Sequence, residues 1–319
     1  MITGAVDIGG TKIAVGAIDG AGQLLAREET PTAAARGFDD AMDRVTAMLD
    51  RLRREINVPM RGVGIGCTGP VDPYRGTIGE VDFLPGWKGA NPVAALASRL
   101  QLEVAMENDA DAAALAEAKW GAGRGRKSLI CVTVGTGIGA GLLLNGVLYR
   151  GVDGAHPEIG HHVIDDSGPT CYCGGRGCWE SLASGPAIAA RYAQAIAGAS
   201  AGAGAGADAR STELNTRQIC ELATAGDAIA CQEIARAARY LGIGIANLIT
   251  LYVPELIVLS GSVMNSAELF LPGIRAVIRT QCGLVPADRV ELMPSQLRGD
   301  APLIGAGVVW AHRYAWERS

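Results

Sequence analysis

The sequence predicts an α/β protein with a mixed sheet in each half. Three observations carry this. Short apolar strands alternate with helical stretches along the chain. Glycine turns close several of the strands. A strand–turn–strand pattern near the N-terminus returns in the middle of the chain.

The first copy of that pattern is AVDIGGTKIAVGAIDGAGQLLARE, residues 5–28. It reads as strand, tight turn at Gly9-Gly10, strand, Asp19-Gly20 hairpin, strand. The second copy is CVTVGTGIGAGLLLNGVLYRG, residues 131–151. The same 126 positions separate Gly9 from Gly135 and Asp19 from Asn145. A shared register of both turns points to duplication of one three-strand unit.

Between the copies, Phe38 to Ile56 is helical, with arginines and acids on one side and Val45, Met48, Leu49 and Leu52 on the other. RGVGIGCTGPVD is a buried strand ending in a turn at Gly69-Pro70. LEVAMEND is another strand, and ADAAALAEAKWGAG follows it as an alanine-rich helix. Further on, SGPAIAARYAQAIAG is helical, and residues 196–208 form a Gly/Ala-rich run expected to be a flexible surface insertion. Helices over 217–224 and 227–251 lead into the strand ELIVLSGSV. LIGAGVVWAHRYAW is an apolar helix near the end.

The 319 residues suffice for one large or two medium domains, and an apolar content of 49% can bury a sizeable core. A net charge of −5 argues against general nucleic-acid or anionic-membrane binding. Aromatics at 5% make base-stacking platforms an unlikely use of the chain. No apolar run is long enough to span a bilayer, and the N-terminus lacks a signal pattern, so a cytoplasmic location is expected. Of eight cysteines, Cys67, Cys131, Cys220, Cys231 and Cys282 lie among apolar neighbours and read as reduced core residues.

The other three belong to HHVIDDSGPTCYCGGRGCWE. His161, Cys171, Cys173 and Cys178 supply one imidazole and three thiolates, the donor set of a closed structural zinc site. Without a metal, the thiols would be small buried hydrophobes or disulfide partners. The spacing lacks the paired CxxC or HxxxH of nucleic-acid zinc fingers. Glu158 and Glu180 bracket the cluster, so a metal knot would hold acceptors toward a polyhydroxylated ligand.

Two glycine turns after buried strands, one from each half, suggest a phosphate clamp, because backbone N–H groups there form an anion nest. Asp7 before the first turn can hold a hydrated magnesium ion. Thr11 can donate to phosphate, and Lys12 can offset its charge. Either turn alone is also an ordinary hairpin. There is no GxxxxGK[ST], so no P-loop is expected. Asn108-Asp109 closes a strand and opens a helix. Such a pair is a common cap, yet it stands where ligands of α/β sheets bind. Asp109 could accept a proton from a substrate hydroxyl, with Asn108 holding its neighbour.

DIGGTK, END at 107–109, TVGTGIGAG, EIGH at 158–161 and CYCGGRGCWE together resemble the ROK family of repressors, open reading frames and kinases. They occur in the family's order over nearly the whole chain. The resemblance implies two ribonuclease-H-like domains of the actin-like ATPase/hexokinase fold around a central cleft. The expected small domain covers 1–115 plus the C-terminal helix, about 302–319, and the large domain covers 116–301 with the zinc segment. Asp109 would be the catalytic base for the 6-hydroxyl of a hexose. Gly69, Asn108, Glu158, His161 and Glu180 would bind sugar hydroxyls, His161 using one nitrogen for zinc and the other for sugar. Gly9, Gly10, Thr11, Lys12, Thr136 and Gly137 would surround the ATP phosphates, with Gly261 and Ser262 near the adenosine.

The implied activity is ATP-dependent glucose phosphorylation, with ATP, Mg2+ and structural Zn2+, in a homodimer or homotetramer. Another hexose or an N-acetylhexosamine is the alternative substrate. Phe83-Leu84 stands before Pro85-Gly86-Trp87 where glucokinases of the family often carry Asn-Leu, which leaves the hexose open. Ser260-Gly261 stands where two glycines are frequent. A sugar-sensing repressor with the same core is the competing class. Its DNA-reading helices are not expected here, because the first core strand starts within a few residues of Met1. The zinc knot argues against other actin-like ATPases.

Overall fold

The computed structural model describes residues 1–202 and 214–314. Strands β1 (Ile2–Ile8), β2 (Lys12–Ile18) and β3 (Leu24–Pro31) precede helix α1 (Phe38–Ile56) and strand β4 (Met60–Cys67). A short pair, β5 (Val71–Asp72) and β6 (Thr77–Ile78), leads to α2 (Pro92–Leu100), β7 (Val104–Asn108) and α3 (Asp109–Trp120). The second half begins with β8 (Leu129–Val134), β9 (Ile138–Leu144) and β10 (Val147–Leu148). Helices α4 (Trp179–Ala183), α5 (Gly185–Gly202), α6 (Thr216–Thr224) and α7 (Ala228–Tyr252) follow. The chain ends in β11 (Leu256–Ser260), α8 (Ala267–Gln281), β12 (Glu291–Pro294) and α9 (Ala301–Tyr314).

Two five-stranded sheets have matching orders, β3-β2-β1-β4-β7 and β10-β9-β8-β11-β12. In the first, β1 pairs antiparallel with β2 and parallel with β4, and β4 pairs parallel with β7. In the second, β9–β10 is antiparallel and β11–β12 parallel. Each glycine-turn repeat thus supplies the meander side of its own sheet. The two hairpins differ in detail. Asn145 and Gly146 both take positive φ in a two-residue turn, whereas Asp19 closes a longer loop by accepting from Ala21 and Gln23 N–H, each at 2.8 Å.

The chain divides into two compact units. One comprises Met1–Cys131, Gly141–Pro157 and the chain from Ser295 onward; the other comprises Val132–Ala140 and Glu158–Pro294.

In the first unit, period-2 alternation on the strands feeds two cores. Val6, Ile8, Ile13 and Val15 pack with Val45, Leu49 and Leu52 of α1. Ala5, Ala14 and Ile18 face the opposite way, with Leu303 and Ala306 of α9. That second face is lined by small residues because α9 lies very close to β4. A β-carbon at Gly64 would collide with the Ala306 carbonyl, so the GVGIG run of β4 is a packing requirement.

In the second unit, α7 and α8 bury Leu241, Ile245, Phe270 and Ile274. Helix α8 is absent from the sequence reading because Pro272-Gly273 sits inside it and looks like a break. Helix α5 runs to Gly202, so residues 196–202 of the Gly/Ala-rich run are helical rather than an irregular insertion. The rest of that run lies outside the described residues. Cys67, Cys131, Cys220 and Cys282 are buried free thiols as expected, but Cys231 is exposed, on the outward side of α7. No helix among the described residues is long and apolar enough to cross a membrane.

Candidate active site

In the first unit, β1, β4 and β7 end together. The parallel register sets Asp7 beside Gly66, and Gly66 beside Glu107. Carboxyl ends of parallel strands are the usual ligand edge of such sheets, since the helices that follow turn their N-termini toward it. Asn108 is the last residue of β7 and the cap of α3. Its Oδ1 accepts from Ala110 N–H at 2.8 Å, and its Nδ2 donates to the Gly69 carbonyl at 3.2 Å. The sequence-derived pair Gly69 and Asn108 is therefore in direct contact. Asp109 Oδ1 also accepts from Ala110 N–H, at 2.9 Å.

Asp7 senses the charge of Asp109. Burial first, and the Asp109 charge second, raise Asp7 to about 7. The same two carboxylates, after burial, push the Cys67 thiol well up. The strand edge thus concentrates negative charge that the unit only partly compensates.

The first glycine turn is closed by Gly9 N–H donating to the Lys12 carbonyl at 3.0 Å, and by Thr32 Oγ1 donating to the Gly9 carbonyl at 2.6 Å. Gly10 backs onto Phe83, the residue of the departing loop. Thr11 and Lys12 are exposed, and Lys12 Nζ lies 3.3 Å from Glu29 Oε2 in a solvent-facing pair.

A buried charge cluster that the sequence does not announce lies behind this edge. Arg150 donates to both Glu107 and Asp111 in short ion pairs. His156 Nδ1 lies 2.7 Å from Asp111 Oδ2. Burial pushes Glu107 up to about 7 against the pull of Arg150. Glu107 and Asp111 flank Asn108-Asp109 in the chain, so the cluster clamps the strand–helix junction from both sides. The visible signal was the acid spacing in ENDAD, but its basic partners lie some 40 residues away.

In the second unit, the His/Cys segment folds into one knot. One donor atom each from His161, Cys171, Cys173 and Cys178 lie within 4.8 Å of one another. Cys173 and Cys178 Sγ are 3.6 Å apart, and Cys171 Sγ is 3.5 Å from His161 Nδ1. Thiolates about 2.3 Å from a tetrahedral zinc would stand about 3.8 Å apart, and a thiolate and an imidazole nitrogen about 3.6 Å. These two pairs match the spacing of that ion. The Gly175 N–H, 3.4 Å from Cys173 Sγ, lowers that thiol's pKa.

His161 Nδ1 faces the sulfurs, while Nε2 faces outward, 4.0 Å from Glu180 Oε1. Glu180 Oε2 accepts from Ile138 N–H at 2.8 Å, in the second glycine turn. Glu158, one turn before His161, is exposed, and its carbonyl accepts from His161 N–H at 3.0 Å. His162 faces the other way: it reaches the Ile159 carbonyl and Asn247 and packs edge-on to Trp179.

Thr136 and Ser262 line one cavity of about 740 Å³, shared with Gly185, Asn215, Arg217 and Asn265. Gly261 turns the chain from β11 into Ser262. Gly137 stands at the far side of the same turn as Thr136, under Glu180. Asn215, Arg217 and Asn265 were not singled out from sequence. The capping box of Asn215 and Gln218 was readable, but it announces only a helix start.

A family profile described as "ROK family" matches residues 3–313. The glucokinase of Streptomyces coelicolor is 33% identical over 311 residues, covering 96% of each chain. The solved ROK family glucokinase of Streptomyces griseus, in complex with glucose and AMPPNP, superposes with a TM-score of 0.83 at 34% identity. That superposition covers 97% of this chain and 98% of the other. The xylose repressor of Bacillus spizizenii is 30% identical over 246 residues, 76% of this chain and 59% of the repressor. The architecture is accordingly that of the actin-like ATPases and hexokinases, with two ribonuclease-H-like halves.

Proposed function

Because the chain belongs to the ROK family, we propose that it is an ATP-dependent hexose kinase acting on the 6-hydroxyl of glucose. The observation that carries this reading is Asp109, a carboxylate at the ligand edge of the sheet, beside an Asn108 fixed to Gly69. Relatives of matching length named glucokinases support the substrate.

Asp109 takes the proton of the sugar 6-hydroxyl as that oxygen bonds to the γ-phosphorus and the bond to the departing ADP breaks. Asn108, Gly69, Glu158, His161 and Glu180 hold the other hydroxyls. His161 presents Nε2 to the sugar because Nδ1 is turned to the thiolates. The four donors of the knot would hold structural zinc, stiffening this acceptor set. Gly9, Gly10, Thr11, Lys12, Thr136 and Gly137 would bind the phosphates. Gly261 and Ser262 lie by the cavity that takes the adenosine.

Asp7, raised by burial and by the Asp109 charge, stands where a divalent cation would be favoured, and Asp7 would hold magnesium. That ion supplies charge neutralisation on the phosphates.

The test is ADP release with glucose, mannose, fructose, N-acetylglucosamine and N-acetylmannosamine. Glucose should turn over fastest. Sugar binding with no ADP release on any of them would favour the sensing role suggested by the repressor relatives.

A further inference from the structure

Tyr172 lies between two of the zinc-type thiolates in CYCGGRGC, yet its side chain is turned away from the knot. Its Oη is 3.1 Å from His161 Nε2. The two rings meet edge-on, with centroids 5.1 Å apart at 88°. Glu180, whose Oε1 lies 4.0 Å from the same nitrogen, accepts a hydrogen bond from the phenol. The residue as a whole remains 61% exposed, so nothing in the core demands this position.

The protonation pattern follows from the knot. With Nδ1 turned to the thiolates, Nε2 carries the hydrogen and donates to Oη. The phenol O–H then donates to Glu180. One oxygen thus accepts from an imidazole and donates to a carboxylate, which is the pattern a sugar hydroxyl would make with the same two residues.

We propose that Tyr172 is a specificity-determining gate, whose phenol occupies a hydroxyl position of the sugar pocket until a sugar displaces it. This rests on the sugar-binding roles proposed for His161 and Glu180. A ligand able to donate and accept at that point replaces both bonds of the phenol. A ligand lacking such a hydroxyl leaves a donor and an acceptor unpaired and does not open the gate.

The experiment is calorimetric titration of glucose into the zinc-loaded protein and into Tyr172→Phe, with zinc content measured on both. The variant keeps the ring and loses the competing oxygen. Glucose should bind it about fivefold to tenfold more tightly, the worth of about one hydrogen bond. An equal or weaker affinity at intact zinc content overturns the gate.

A second readout needs no variant. The isotope-labelled ring resonances of Tyr172 in the wild-type protein should shift on saturation with glucose, and resonances that stay in place while glucose binds overturn the gate. Failure of every hexose to bind either protein would overturn the kinase reading and the gate with it.

Discussion

Glu180 Oε2 accepts a 2.8 Å hydrogen bond from the backbone N–H of Ile138. One carboxylate thereby joins the second glycine turn to the His161 knot, because its other oxygen faces His161 Nε2. The proposed phosphate turn and the proposed sugar acceptors share this carboxylate. Both would act on one transferred group, so their spacing would have to hold within a fraction of an ångström.

Gly137→Ala tests that connection. A β-carbon there would strike Glu180 Oε2, so either the turn or the carboxylate must shift. A hydrogen bond to a charged group contributes about 1.5–3 kcal/mol. Its loss should lower kcat/KM by about 10- to 100-fold. Steady-state kinetics should show KM rising for both ATP and glucose; a change confined to one substrate would mean the turn and the acceptors move independently.

Asp7 gives a pH dependence with a definite sign. Its folded pKa is about 7, above the reference 3.8. The folded protein therefore binds the proton more tightly than the unfolded chain. The proton-linked stability is complete below about pH 4 and is lost as pH rises through about 7. The full span is up to about 4 kcal/mol. Urea midpoints measured from pH 4 to pH 8 without added magnesium should show this loss superposed on other titrations. Asp7→Asn should remove it, and a pH profile identical in the variant would show that Asp7 is not the group responsible.

Much of this edge was legible in the sequence, for identifiable reasons. The turns at Gly9-Gly10 and Gly135–Gly137 announce themselves because closely spaced glycines interrupt apolar strand patterns there. Asn108-Asp109 stands out because a strand pattern meets a helix pattern there. The knot is legible because its donors are close in sequence. Arg150 and His156 were not, because their partners Glu107 and Asp111 are remote and only the folded chain joins them. Tyr172 was hidden by its neighbours: between two metal-type cysteines a tyrosine reads as spacer. Helix α8 was lost to a proline that the helix tolerates.

The Arg150 cluster should matter for stability. Arg150→Ala leaves Glu107 and Asp111 buried side by side without their cation. Breaking a buried pair by removing one partner costs about 3–5 kcal/mol. Chemical denaturation should report that loss. Unfolding free energies within about 0.5 kcal/mol of wild type, the range of ordinary surface changes, would show that the carboxylates are hydrated or protonated instead.

Cys173→Ser should lower bound zinc and loosen the acceptors. Cys173 is the exposed member of the proposed donor set, so the substitution removes a donor without opening a core cavity. Structural zinc can supply on the order of 10 kcal/mol of folding free energy, although here only the knot depends on it. Atomic emission should show reduced zinc, and glucose affinity should fall while ATP affinity changes little. A metal-free variant with wild-type glucose binding would separate the knot from the sugar site.

Asp109→Asn isolates the proton transfer. The amide keeps the size and the N-terminal position on α3, where Asp109 Oδ1 accepts from Ala110 N–H. An amide oxygen can still accept that bond, so the fold should be retained. What is lost is the proposed acceptor of the 6-hydroxyl proton, a contribution of about 10²–10⁴-fold. It also removes the charge that helps raise Asp7, so the Asp7 titration should move down in the variant. Calorimetry should find glucose bound with little change while ADP release falls by that factor. Turnover near wild type would require another base, and an unchanged Asp7 titration would mean that burial alone sets it.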